Sequence, residues 1–130
     1  MIRYSIVIPT YNNREALNNT LEALNGQSGF EPGEYEAIVV DDGSSEDTYA
    51  LIRDTPRTYA MTYLYLERTP ASCRSRVRNA GWRQAKAPIV VFLDSDMIVA
   101  PNYLQELDRY FRAEEDLRSE ERRVGKECRL

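Results

Sequence analysis

Four apolar runs punctuate this chain, and helix-spaced apolar positions fill the stretches between them. Ile2 to Pro9 reads as a first strand, with Ser5-Ile6-Val7-Ile8 its centre and Pro9 its stop. Asn12 or Asn13 can cap the following helix, whose apolar stripe is Leu17, Leu21 and Leu24, and Gly26 lies where a C-cap is expected. After a Gly/Pro-containing loop, Tyr35 to Val40 is the second strand. Ser44 with Asp47 three residues on resembles a capping box for a short helix through about Arg53. Met61 to Leu66 alternates as a third strand, Ser72 opens a helix through about Lys86, and Ile89 to Leu93 is the fourth strand. A last helix starting near Pro101 turns Leu104, Leu107, Phe111 and Leu117 inward. Strand and helix in strict alternation is the pattern of a doubly wound α/β sheet with right-handed crossovers.

Two of these strands end in acids. Ile38-Val39-Val40 runs into Asp41-Asp42-Gly43-Ser44, and Ile89-Val90-Val91-Phe92-Leu93 into Asp94-Ser95-Asp96. Continuous β-branched runs are strands buried on both faces, and such strands deliver their terminal residues to the sheet edge where open α/β folds bind ligands. Four acids gathered there would repel by roughly 4 kcal/mol per close pair at an effective dielectric of 20. A divalent cation carrying a phosphorylated ligand would offset that repulsion.

Length and composition narrow the classes. The chain has 130 residues, enough for one domain with a real core. A net charge of −4 argues against a nucleic-acid binder, and no apolar stretch is long enough to span a bilayer. The N-terminus enters Ile6-Val7-Ile8 without a basic-then-apolar leader, so the composition is of cytoplasmic type. The absence of His removes imidazole chemistry, and the two Cys, Cys73 and Cys128, form no metal-type pair. Residues 118 to 130, Arg118-Ser119-Glu120-Glu121-Arg122-Arg123-Val124-Gly125-Lys126-Glu127-Cys128 onward, resemble the in-frame translation of a sequencing adapter. That resemblance divides the chain into a native segment, 1–117, and a non-native tail, 118–130, with further native sequence expected beyond Leu117.

Several side chains could carry chemistry. Tyr11, after the first strand, can stack on a flat base, and Asp42, after the second, can accept from a base N–H; as structural groups they would be a loop aromatic and a helix cap. Arg74 and Arg78 share one helix face and can aim at one anion, whereas Arg76 and Arg83 read as surface charge. Asn79 and Gly81 suit packing and close backbone approach, Cys73 a small buried hydrophobe, and Trp82 either core or surface. Neither G-x-G-x-x-G nor a P-loop occurs, which argues against a dinucleotide site.

Taken in order, Tyr4-Ser5-Ile6-Val7-Ile8-Pro9-Thr10-Tyr11-Asn12, Ile38-Val39-Val40-Asp41-Asp42-Gly43-Ser44, Arg78-Asn79-Ala80-Gly81 and Phe92-Leu93-Asp94-Ser95-Asp96 resemble the opening half of an inverting family 2 glycosyltransferase of the GT-A fold. The resemblance implies a truncated, Rossmann-like three-layer α/β/α domain with a mostly parallel sheet, binding a nucleotide-diphospho-sugar donor. It implies that Thr10 and Tyr11 border the nucleobase, that Asp42 hydrogen-bonds it, and that Arg78 faces the donor. Asp94 would lie near ribose or metal, and Asp96 would ligate Mn²⁺ or Mg²⁺ on the diphosphate. The acceptor, whether saccharide, lipid or protein, is not legible. Family members often work at the cytoplasmic membrane face, so peripheral membrane association of the complete protein is implied as well.

Other classes fit less well. A phospho-acceptor receiver domain needs its acid pair after strand one, where this chain has Pro9-Thr10-Tyr11, and a nucleotidyltransferase should open with a Gly-rich, Arg-containing loop. A nucleotide- or metal-binding module without turnover describes the fragment itself. In the resembled family the general base and the aromatic-Arg motif come from the second half, and nothing after Pro101 supplies them. Glu106, Asp108, Glu114, Glu115 and Asp116 read as a solvated helix face.

Overall fold

The computed structural model describes the backbone of residues 1–123 and the side chains of residues 1–115. Four strands, β1 (Tyr4–Thr10), β2 (Tyr35–Asp41), β3 (Ala60–Tyr65) and β4 (Ile89–Phe92), alternate with helices α1 (Arg14–Ala23), α2 (Thr48–Arg53), α3 (Arg74–Gln84) and α4 (Tyr103–Arg123). All pairings are parallel, in the order β3-β2-β1-β4. Tyr4 is in register with Tyr35 on one side and Ile89 on the other, so β1, β2 and β4 start together; β1 and β2 end together at Thr10 and Asp41, while β4 stops at Phe92, opposite Val7, and the chain reverses its direction of travel across the sheet between β1 and β4.

The two-residue alternation of β1 and β2 splits their side chains between two cores. Tyr4, Ile6, Ile8, Tyr35, Ala37 and Val39 pack with Leu17 and Leu21 of α1, Leu24 at its C-cap, Ile52 of α2 and Leu104 of α4. Val7, Ile38 and Val40 face the other way, against Val77 of α3. This is the expected three-layer arrangement. At Gly81 of α3 a Cβ would collide with Val7 Cγ1 and lie 3.3 Å from Val40 Cγ2, so only glycine lets the helix lie this close to the sheet. Among the described residues no helix is long and apolar enough to cross a membrane.

Local details depart from the sequence expectations. Asp47, not Ser44, caps α2 by accepting from the Ala50 amide at 3.0 Å, while Ser44 is buried and accepts from the Asn12 amide. Neither Asn12 nor Asn13 caps α1 with its side chain; the Arg14 amide donates instead to the Glu46 carboxylate at 2.9 Å. Gly26 lies two residues beyond the C-cap, Leu24, in the left-handed region at φ 65°. Helix α3 begins one residue after Cys73 rather than at Ser72, whose hydroxyl accepts from the Thr69 amide, and ends at Gln84 rather than Lys86. Helix α4 begins two residues after Pro101, in a turn where the Tyr103 amide donates to the Ala100 carbonyl. The expected inward placement of Leu117, the Asp116 side chain and the side chains of the 118–130 tail lie outside the described residues.

Asp108 is also not part of a solvated face. It accepts from Arg3 at 2.7 Å, the Tyr4 hydroxyl at 2.9 Å and Arg112 at 2.9 Å, clamping α4 to the start of β1. Partial burial opposes its charge, but these three donors outweigh it and hold the carboxyl below the usual carboxylate range. Burial and the same hydrogen bond push the Tyr4 hydroxyl up to about 12. A carboxyl depressed on folding adds stability above its unfolded pKa of about 4, and that contribution disappears as pH falls through the lower folded value. Asp108→Asn should therefore cost about 1–3 kcal/mol near neutral pH, with the gap from wild type narrowing towards pH 2–3. Urea unfolding at both pH values measures this, and a gap independent of pH would exclude the charge as its source.

Candidate functional site

Parallel strands place all four carboxyl ends on one edge, and the crevice opens where the strand order reverses, beside the ends of β1 and β4. A cavity of about 400 Å³ lies there, within the range of small-molecule sites. Pro9, Thr10 and Tyr11 line it from the end of β1, Asp42 from beyond β2, and Arg68 from the loop after β3. Ser72, Cys73, Arg74, Val77 and Arg78 contribute from the α3 side, and Phe92 to Ser95 from β4 and its exit.

The loops forming this edge are tied to one another. Asn12 stands in the left-handed region at φ 46°, a conformation asparagine tolerates. From there its amide donates to Ser44 Oγ at 2.7 Å, and its Oδ1 accepts from the Ser45 amide at 2.8 Å. With the Arg14–Glu46 bond, these contacts fix the segment carrying Tyr11 to the one following Asp42. On the β4 side, Thr20 of α1 donates to the Ser95 carbonyl at 2.9 Å. Buried Gln27 donates to the Ala100 carbonyl and accepts from the Leu104 amide.

Thr10, Tyr11, Asp42, Arg78 and Asp94 all line the cavity, and Arg74 joins Arg78 there. Tyr11 is 46% exposed. Thr10 Oγ1 and Asp42 Oδ1 are buried without a hydrogen-bond partner among the described residues. A buried polar atom left unpaired costs free energy that a ligand can recover. The Arg78 guanidinium lies 5.1 Å from the Phe92 ring centroid. Asp96 is exposed two residues beyond Asp94 and lies outside the cavity wall.

Three expectations are corrected. Asp41 does not join a cluster of four acids: it is fully buried, accepting from the Ser44 amide at 2.9 Å and the Tyr63 hydroxyl at 2.5 Å. Burial, reinforced by that bond, pushes the Tyr63 hydroxyl above its ordinary range. Cys73 is exposed at the N-cap of α3 rather than buried, because the helix turns its first residues to the cavity and its inward position falls at Val77. Arg76 is more than solvated charge, since it donates to the Glu67 carbonyl at 3.0 Å and holds the loop before α3. Asn79 accepts from the indole of half-exposed Trp82 and stays out of the cavity.

Arg68 was not singled out by sequence. Its guanidinium lies 4.1 Å from the Tyr11 ring centroid and pairs with Asp42 Oδ2 at 3.0 Å. The rule that pointed to Asp42 and Asp94 applies to it also, because it follows a parallel strand on the same edge.

The donor chemistry suits a hard cation only in part. Among the described residues no three His, Cys, Asp or Glu side chains converge, so no all-protein metal cage is present. Asp94 and Asp96 are carboxylates without a basic partner among the described ion pairs. A hard divalent ion binds through one or two such groups and completes its shell with phosphate and water. The pair fits that mode. With Asp41 withdrawn and Asp42 paired to Arg68, repulsion among four acids no longer argues for the ion.

Comparisons with known proteins agree with this fold. The Glycosyl transferase family 2 profile matches residues 5–118. Validoxylamine A glucosyltransferase of Streptomyces hygroscopicus subsp. limoneus is 37% identical over 101 residues, covering 78% of this chain and 22% of the relative. The crystal structure of Staphylococcus aureus TarS 1-349 superposes with a TM-score of 0.75 at 25% identity, covering 86% of this chain and 33% of that one. A Pyrobaculum calidifontis mannosyltransferase in complex with GDP-Man and Mn²⁺ superposes with a TM-score of 0.64 at 26% identity, covering 72% and 27%. This chain thus spans between a fifth and a third of the lengths of these proteins. With the α/β/α architecture of the GT-A fold and a family match over nearly its whole described length, the chain belongs to glycosyltransferase family 2.

Proposed function

We propose that the complete protein transfers a sugar, with inversion at the anomeric carbon, from a nucleotide-diphospho-sugar to an acceptor hydroxyl, and that residues 1–117 form its donor half. The observation that carries this reading is the cavity wall: an exposed Tyr11 ring, two buried, unpartnered oxygens, Thr10 Oγ1 and Asp42 Oδ1, and Arg74 and Arg78 lining the same cavity. A base stacks on Tyr11 and gives a ring N–H to Asp42, Thr10 closes the same side, and Asp94 meets the ribose. Arg78, with Arg74, holds the diphosphate by charge-assisted hydrogen bonds. Asp96, with Asp94, would hold a Mn²⁺ or Mg²⁺ ion, which when bound supplies charge compensation to the departing nucleoside diphosphate. Binding of UDP and of GDP-Man by structural relatives supports the donor class.

The cavity's two carboxylates, Asp42 and Asp94, are both taken up by the donor, which leaves none in it for proton removal from an acceptor. This favours a second reading of the 130-residue chain taken alone, as a nucleotide-binding fragment.

Calorimetric titration with UDP and GDP tests the base subsite. Tyr11→Ala should weaken the better ligand by about 1–3 kcal/mol, the worth of one base–aromatic stack, and Asp42→Asn should weaken it too. Affinities untouched by both changes would remove the subsite. In the same assay Mn²⁺ should strengthen binding, Asp96→Ala should abolish that gain, and Asp94→Ala should reduce it less; equal affinity with Mn²⁺ and with chelator would count against a metal bridge. Finally, the 130-residue chain should bind donor yet transfer no sugar to any acceptor. It lacks base catalysis, worth about 10²–10⁴-fold, and acceptor positioning. Robust transfer by this chain, followed by product chromatography, would overturn the donor-half reading.

A further inference from the structure

We infer that Arg68 occludes the base subsite of the free protein, so that a nucleobase reaches Tyr11 and Asp42 only by displacing this side chain. The inference rests on the base subsite proposed above and adds to it a competitor built into the chain.

The geometry is that of a stand-in ligand. A stacked ring would put its centroid about 4.5–7 Å from that of Tyr11; the Arg68 guanidinium lies nearer, at 4.1 Å, in cation–π contact, and so takes the space a base would need on the face it covers. The same guanidinium donates to Asp42 Oδ2 at 3.0 Å and to the Asp42 carbonyl at 3.2 Å. Arg68 therefore meets the two surfaces a base would use, a π face and a hydrogen-bond acceptor, with one planar cation. Asp42 Oδ1 is left buried and unpaired, so the occlusion satisfies only part of the acceptor.

The side chain is free to leave, whereas its backbone is not. Arg68 is half exposed while Asp42 is mostly buried, so the guanidinium can swing to solvent without opening the core. The Arg68 backbone lies against Gly43, which is at φ 78°. A Cβ at that glycine would come within 2.6 Å of the Arg68 amide nitrogen and Cβ. The contact keeps the root of Arg68 beside Asp42, and Arg76, donating to the Glu67 carbonyl, secures the preceding residue. The competitor is thereby tethered at the site at high local concentration.

An exposed ion pair and one cation–π contact are each modest, so removing both should tighten nucleotide binding by about three- to thirtyfold. The test is titration of the 130-residue chain with UDP and GDP, comparing wild type, Arg68→Ala, Arg68→Gln and Tyr11→Ala. Tighter binding by both Arg68 variants and weaker binding by Tyr11→Ala is the expected result. Weaker or unchanged binding by the Arg68 variants, with Tyr11→Ala still weakened, overturns the occlusion and leaves the base subsite standing. An unaffected Tyr11→Ala overturns both. A second readout uses uridine and guanosine, which carry no phosphate. Their affinity for wild type should rise between about 0.05 M and 0.5 M salt as the Arg68–Asp42 pair is screened, and stay flat in Arg68→Ala. A flat wild-type response would also overturn the occlusion.

Discussion

The backbone ladder holding β1 between β2 and β4 is the constraint on which the rest of this molecule depends. With every partner parallel, the ladder sends the carboxyl ends of β1, β2 and β4 towards one edge, Thr10 level with Asp41 and Phe92 level with Val7, and no carboxyl end can be moved to the opposite edge without breaking pairs. It also buries β1 and β2 on both faces, which is why their inner residues are almost uniformly apolar. Of the polar exceptions on those strands, Thr10 Oγ1 is left unpartnered at the cavity, and others are satisfied in pairs. Glu36, for example, is buried but accepts from Ser5 Oγ at 2.6 Å and the Lys86 amide at 2.9 Å. A crevice between β1 and β4 then follows from topology, since the chain crosses the sheet first one way and then the other.

The crevice is made into a site by hydrogen bonds between loops that are far apart in sequence. Asn12 bridges to Ser44 and Ser45, the Arg14 amide to Glu46, and Thr20 to the segment between Asp94 and Asp96. Tyr11 and Asp42 thus share a fixed frame even though each stands on a loop. This is the support that binding residues require from the groups behind them. The neighbouring acids Asp41 and Asp42 divide the work. Asp41 is the last residue of β2 and points into the layer containing Tyr63, so it braces the strand end, whereas Asp42 lies past the ladder and turns to the cavity.

Electrostatically the site is richer in cations than a count of strand-end acids suggests. Arg68, Arg74 and Arg78 line it against Asp42 and Asp94. An anionic ligand is therefore met by guanidinium groups before any metal is considered, and planar guanidinium is the group best suited to phosphate oxygens. The family to which the chain belongs supplies the context for that charge.

Much of this was legible in the sequence. The β-branched run Ile38–Val40 demanded a strand covered on both faces, as it is, whereas the same expectation for Ile89–Val91 fails because β4 ends the sheet order and is only half-buried; parallel pairing then required Tyr11, Asp42 and Asp94 on one edge, because strand ends and sheet edge are the same place. The spacing of Leu17, Leu21 and Leu24 likewise determined which face of α1 is buried. Tertiary structure alone decided the pairings that depend on where two loops meet. Sequence could not show Asp41 given to Tyr63, Asp108 clamped by Arg3, Tyr4 and Arg112, or α1 capped by a carboxylate thirty-two residues away. Nor could it show Arg68 lying across Tyr11. Local periodicity reports which side of an element meets the core, but a side chain's partner on the surface of that core is set by the three-dimensional approach of segments that no period connects.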